Sequence, residues 1–113
     1  MTELCDLSAS QLEKMIRMKD ASPVEILESC IARTKSIDGA LNAMVTPAFD
    51  TALVAARAAE DAVMRDDDLG LIHGLPIAVK DLDVTAGIRT TYGSKLHRFD
   101  IPDTDQGSVT RIK

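Results

Sequence analysis

Apolar residues return every three or four positions in three stretches of the chain, and each stretch opens on a helix-start signal. In "SASQLEKMIRMKD", Ser8 reads as an N-cap with Gln11 three residues on, and Leu12, Met15 and Ile16 form one stripe. A short amphipathic helix is predicted there. The run "SPVEILESCIARTKSIDG" is stronger: Ser22 caps, Pro23 takes the first helical position, Glu25 completes a capping box and Gly39 marks the end. Leu27, Cys30, Ile31 and Thr34 then share a side. A third helix follows the Thr46–Pro47 pair, with Phe49, Leu53, Ala56, Val63 and Met64 at helical spacing up to about Arg65. On its other face, Arg57 with Asp61 and Asp61 with Arg65 stand four apart, the spacing of weak surface pairs.

Between these helices the period shortens. Leu41, Ala43 and Val45 alternate and predict a short strand, and "LPIAV", Leu75 to Val79, reads as a strand buried on both faces. "RDDDLG" between them reads as a solvated loop, because adjacent carboxylates point apart and lack calcium-loop spacing. "VTAGIRTTYGS" reads as extended chain with turns, Gly87 and Gly93 being free to adopt positive φ. A last helix starts in "DQGSVTRIK", with Ser108 as its cap and Val109 and Ile112 beginning a stripe. It stops after about one turn, so the chain reads as an N-terminal fragment. The expected fold class is α/β: residues 1–66 mainly helical with one short strand, and residues 71–113 a strand, a Thr/Gly-rich segment and the start of a helix.

Composition narrows the function classes. The 113 residues are 45% hydrophobic and 27% charged, the balance of a soluble globular chain. Aromatics make up 3% with no Trp, so the core has few large anchors. The net charge of −5 and scattered basic residues argue against a nucleic-acid partner, which requires a concentrated basic surface. No apolar run is long enough for a membrane span, and the first ten residues lack a secretory pattern. Cys5 and Cys30 have no His or Cys at metal-ligand spacing and read as free thiols of a cytoplasmic protein, Cys30 as a small core residue.

Lys80 ends the apolar run, which is an unusual place for an ammonium. Counting by twos sets small Ala78 and Pro76 on its face, leaving room for other groups to approach. One reading is plain: the side chain reaches to water or pairs with Asp81 or Asp83. Phosphate binding fits poorly, since Val79 and Asp81 replace the flanking Gly and Ser/Thr of a P-loop. A kinase strand is discounted too, because a predicted helix and an aspartate loop precede "IAVK" instead of a glycine-rich strand pair. The third reading is a base, since a dry site favours the neutral amine of a lysine.

That reading comes from the wider string "HGLPIAVKDLDVTAGIRTTYGS", which resembles the amidase signature family: H-G-x-P, an apolar strand ending in Val-Lys-Asp, then Gly, Thr and Gly-Ser at matching intervals. The resemblance implies a large α/β/α sandwich with a mixed sheet. It also implies amide hydrolysis by a Ser-cisSer-Lys triad, in which the lysine relays protons through a bridging serine to a nucleophilic serine. Only Lys80 carries over as catalytic. The two serines and the oxyanion hole belong to a Gly/Ser-rich region downstream of Lys113, so this segment alone is expected to be inactive. The resemblance implies a small-molecule amide substrate, no cofactor and no metal, and leaves the substrate-binding residues unknown. His73 reads as structural packing or a backbone hydrogen bond, Gly74 and Pro76 as shaping the start of the strand, and Ser94 as turn structure. Asp81 reads as a partner for a backbone amide or cation, and Asp83 as an exposed loop charge. Two alternatives stay open: an amidotransferase subunit of the same family that releases ammonia from glutamine, and a helical interaction or homodimer module using the stripes that begin at Leu12 and Leu27.

Overall fold

Helices form in all four stretches where they are predicted, and they are the only extended regular structure among the described residues. The computed structural model describes residues 2–113. Four helices follow in order: α1, Ala9–Arg17; α2, Pro23–Leu41; α3, Phe49–Met64; and α4, Gly107–Ile112. The chain divides into two compact units, one made of the residues up to Ala43 with Phe49–Pro76, the other of Met44–Ala48 with Ile77–Lys113.

The first unit is built by its caps and stripes. Ser8 Oγ accepts the Gln11 N–H while the Ser8 N–H donates to the Gln11 side chain, and Ser22 and Glu25 repeat the exchange at the start of α2. Each pair satisfies two backbone donors that a helix start leaves open. Leu12 and Ile16 of α1 pack with Ala21, Ile26 and Val63, and Leu27, Ile31 and Ala56 form a second cluster. Adjacent Ile26 and Leu27, about 100° apart around α2, let one helix serve both clusters. Burying Ile16 and Ile26 contributes about 1.5–3 kcal/mol each. No helix among the described residues is long and apolar enough to cross a membrane.

The expected α/β class with a mixed sheet is not what the described residues adopt. They contain no strand and no sheet, only one isolated antiparallel bridge between Thr85 and Ile88. Leu41, assigned by alternation to a strand, is instead the last residue of α2. That helix runs past Gly39 because Asn42 adopts the left-handed conformation, φ 52°, and the Asp38 side chain accepts the Ala43 N–H at 2.7 Å. The run from Leu75 to Val79 carries no regular structure, and Ile77 and Val79 are exposed. The physical reason is one of partners. A strand exists only if its N–H and C=O groups meet a neighbouring strand, and none is present among these residues.

The second unit is a knot of turns. Gly87 N–H donates to Pro102 O at 2.9 Å, Thr90 N–H to Asp100 O at 3.0 Å, and Gln106 N–H to Val84 O at 2.9 Å. Buried Thr85, Thr90 and Thr91 and the Val109 side chain of α4 lie inside it. The cap of α4 is Gln106 rather than Ser108, which stands inside the helix. Gln106 takes that role because its N–H is held by Val84 O and its side chain donates to Asp83 at 2.9 Å.

Candidate active site

Lys80 follows Ile77, Ala78 and Val79, and all four residues are exposed. No ladder holds this run, so its backbone is fixed from the C-terminal side. The Lys80 carbonyl accepts the Asp83 N–H at 2.9 Å, and the Asp81 carbonyl accepts the Tyr92 N–H at 3.1 Å. Both carboxylate oxygens of Asp81 are committed to Thr91, one accepting its N–H at 2.7 Å and the other its hydroxyl. Thr91 is 7% exposed, and its Oγ1 accepts the Gly93 N–H at 3.2 Å. The Thr91 hydroxyl, then the Thr91 amide, hold the Asp81 carboxyl below the usual carboxylate range. The Gly93 amide and the Arg89 charge act in the same direction, against partial desolvation.

Of the two partners considered for Asp81, a backbone amide is the one it takes. Asp83 accepts a hydrogen bond from the Gln106 side chain at 2.9 Å. Gly87 and Gly93 adopt φ of 78° and 69°, as their turns require. Ser94 Oγ accepts the Leu96 N–H at 3.2 Å and caps the short 3-10 turn Lys95–His97, a structural use of that hydroxyl. His73, in the first unit, donates from Nε2 to the Ala59 carbonyl at 2.9 Å, the backbone bond expected of it.

The remaining candidates are plain. Asp66 pairs with Lys19 and Asp67 with Arg65, each at 2.8 Å, so the aspartate run is a solvated loop and Arg65 takes Asp67 as its ion-pair partner, with Asp61 a weaker charge influence on it. Cys5 and Cys30 are free and half-buried, and burial pushes the Cys30 thiol up, with Cys5 adding to it. Sequence reasoning missed Glu3, Cys5 and Asp6, whose ligand-type atoms lie within 4.8 Å of one another. Their charge is already met by Arg33, which donates to Glu3 at 3.3 Å and to Asp6 at 3.1 Å. It also missed Thr91 and Arg89. The Arg89 guanidinium donates to Thr46 Oγ1 at 3.1 Å and to the Val45 and Arg98 carbonyls at 3.0 and 3.1 Å, all within the second unit. The one available signal was a Thr-Thr pair in a segment otherwise made of turn residues.

What this arrangement offers chemically is an amine on a firmly tied turn. Known proteins carry similar sequence around it. A family model described as Amidase matches residues 25–113. The chain is 36% identical over 111 residues to a glutamyl-tRNA(Gln) amidotransferase subunit from Geotalea daltonii, covering 98% of this chain and 23% of that protein. The subunit of the same name from Carboxydothermus hydrogenoformans is 35% identical over the same coverage. That of Chloroflexus aurantiacus is 36% identical over 96 residues, or 85% of this chain and 20% of that protein. The chain thus spans about a quarter of the length of the curated relatives it matches.

Proposed function

The chain belongs to the amidase family, and from that premise we propose that it supplies the proton-handling lysine, Lys80, of a glutamine-dependent amidotransferase subunit. The observation that carries the reading is the match over 98% of this chain to proteins named as subunits of glutamyl-tRNA(Gln) amidotransferase. A general amidase acting on linear amides, favoured by the family resemblance alone, performs the same bond cleavage. The two differ in where the ammonia goes, and the relatives' names support the transfer reading.

The chemistry assigned to Lys80 follows from what a serine needs. A hydroxyl is a weak nucleophile until a neighbour takes its proton. In the proposed reaction a serine oxygen, from the part of the polypeptide beyond these residues, bonds to the carboxamide carbon of glutamine. Its proton passes through a bridging serine to the neutral amine of Lys80. Backbone N–H groups hold the resulting oxyanion. The C–N bond then breaks as the proton returns to nitrogen, ammonia leaves, and water hydrolyses the serine ester to glutamate and free serine. The ammonia is consumed at a glutamyl-tRNA by a partner subunit.

The test uses the complete polypeptide with its partner subunits. Lys80→Met is expected to lower ammonia release from glutamine by about 10²–10⁴-fold, the usual contribution of a positioned acid–base group. A variant that releases ammonia at the wild-type rate overturns the role of Lys80. Release from simple linear amides but not from glutamine returns the assignment to a general amidase.

A further inference from the structure

We propose that Asp81, acting through Thr91, is the positioning residue that sets where the Lys80 amine stands. The proposal rests on the reading of Lys80 as the proton-handling lysine and adds to it what holds that lysine in place.

Upstream of Lys80 there is little to hold it. Ile77, Ala78 and Val79 are exposed and outside any regular structure, so nothing N-terminal to Lys80 in the second unit fixes its backbone through a ladder. Lys80 itself has four rotatable side-chain bonds, and an amine on such a stem is placed only as well as its Cα is placed. Four hydrogen bonds converge on the Lys80–Asp81 dipeptide, and all come from residues that follow it. The Asp83 N–H reaches the Lys80 carbonyl and the Tyr92 N–H the Asp81 carbonyl, while the Thr91 N–H and hydroxyl occupy the Asp81 carboxylate.

The Asp81–Thr91 pair does most to define the turn, because it spans ten residues and its Thr91 end is nearly sealed from solvent, 7% exposed. Thr91 Oγ1 both donates to Asp81 and accepts from the Gly93 N–H, so the hydroxyl fixes two stretches of backbone at once. A bond to a charged acceptor is worth roughly twice a neutral one. The Asp81 oxygens accept from Thr91, one from its N–H and the other from its hydroxyl. The effect assigned to Asp81 is geometric, which separates it from the ion-pair alternative.

A purely structural knot and a positioning knot differ in kinetics. In the complete polypeptide with its partner subunits, assayed by ammonia release from glutamine, Thr91→Val removes the hydroxyl and keeps the shape. The expected result is a fall in kcat of about 10–100-fold with KM within about twofold of wild type, the scale on which a misplacement near 1 Å acts. Thr91→Ser, which keeps the hydroxyl, is expected to recover kcat to within about threefold. Wild-type kcat in Thr91→Val, or a Thr91→Ser variant as impaired as Thr91→Val, overturns the proposal. Should Thr91→Val not accumulate as folded protein, Asp81→Asn carries the same test. A tenfold or so loss of kcat at constant KM supports the proposal, and unchanged kcat overturns it. Loss in Lys80→Met with full turnover in Thr91→Val removes the positioning role alone. Full turnover in Lys80→Met removes both that role and the reading it rests on.

Discussion

Gly74 gives the most exacting test of the first unit, because two independent penalties meet there. Its φ is 77°, and a Cβ built on it would lie 2.7 Å from Pro23 Cγ, 3.2 Å from Pro23 Cβ and 3.3 Å from Ile16 Cδ1. Alanine in the left-handed region costs roughly 1–2 kcal/mol. Intruding on a packed site costs about 1–3 kcal/mol more. Neither neighbour can move aside cheaply: Pro23 is a rigid ring at the first position of α2, and Ile16 is 1% exposed. Gly74→Ala is therefore expected to cost about 2–5 kcal/mol, and with a urea m-value near 2 kcal/mol/M the midpoint falls by about 1–2.5 M. Gly39→Ala is the internal control. It lies inside α2 with nothing within 4 Å of an added Cβ, so it is expected to stabilise by about 0.5–1 kcal/mol. Urea unfolding followed by far-ultraviolet circular dichroism measures both. If Gly74→Ala unfolds at the wild-type midpoint, the close approach of the H-G-x-P turn to α2 is wrong.

Two further outcomes bear on the caps and on the Lys80 turn. Ser22→Ala removes the acceptor for the Glu25 N–H at the start of α2 and is expected to cost about 1 kcal/mol, read by the same urea titration; a change below about 0.3 kcal/mol would argue against the capping box. Asp81 has a folded-state carboxyl below its ordinary value, so its contribution is present above the usual carboxylate range and is lost as pH falls through the lowered value. Thermal unfolding between about pH 6 and pH 2 should show the gap between wild type and Asp81→Asn closing on acidification, and a gap that stays constant refutes this.

What could be read from the sequence follows how local each signal is. Ser8 with Gln11 and Ser22 with Glu25 are complete within four residues, and the structure shows both capping boxes as expected. The ends of elements were less legible because distant groups decide them. Gly39 was the obvious stop for α2, yet Asn42 and the Asp38 side chain carry the helix to Leu41. Ser108 was the obvious cap for α4, yet Val84 and Asp83 hold Gln106 in that place. The strands failed for a stronger version of the same reason. Alternation at Leu41–Val45 and the apolar run Leu75–Val79 describe a side-chain pattern, while a strand is defined by a neighbour that no local pattern contains. At the candidate site, Lys80 stood out by its position after an apolar run and Asp81 by adjacency. Thr91 did not, because its part depends on a contact across ten residues.

The placement of Lys80 also constrains how the proposed chemistry is shared out. A lysine amine acts as a base where water is withdrawn from it, and the described residues leave Lys80 exposed, with exposed Ile77 and Val79 beside it. The carboxylates of the two nearby aspartates accept from other residues, Asp81 from Thr91 and Asp83 from Gln106. On the amidotransferase reading, these residues contribute the amine and a backbone tied by Thr91. The turn after Lys80 is held by its own hydrogen bonds, while Ile77, Ala78 and Val79 before it are exposed and outside any regular structure, so the backbone of Lys80 is set from the side of Asp81 and Thr91.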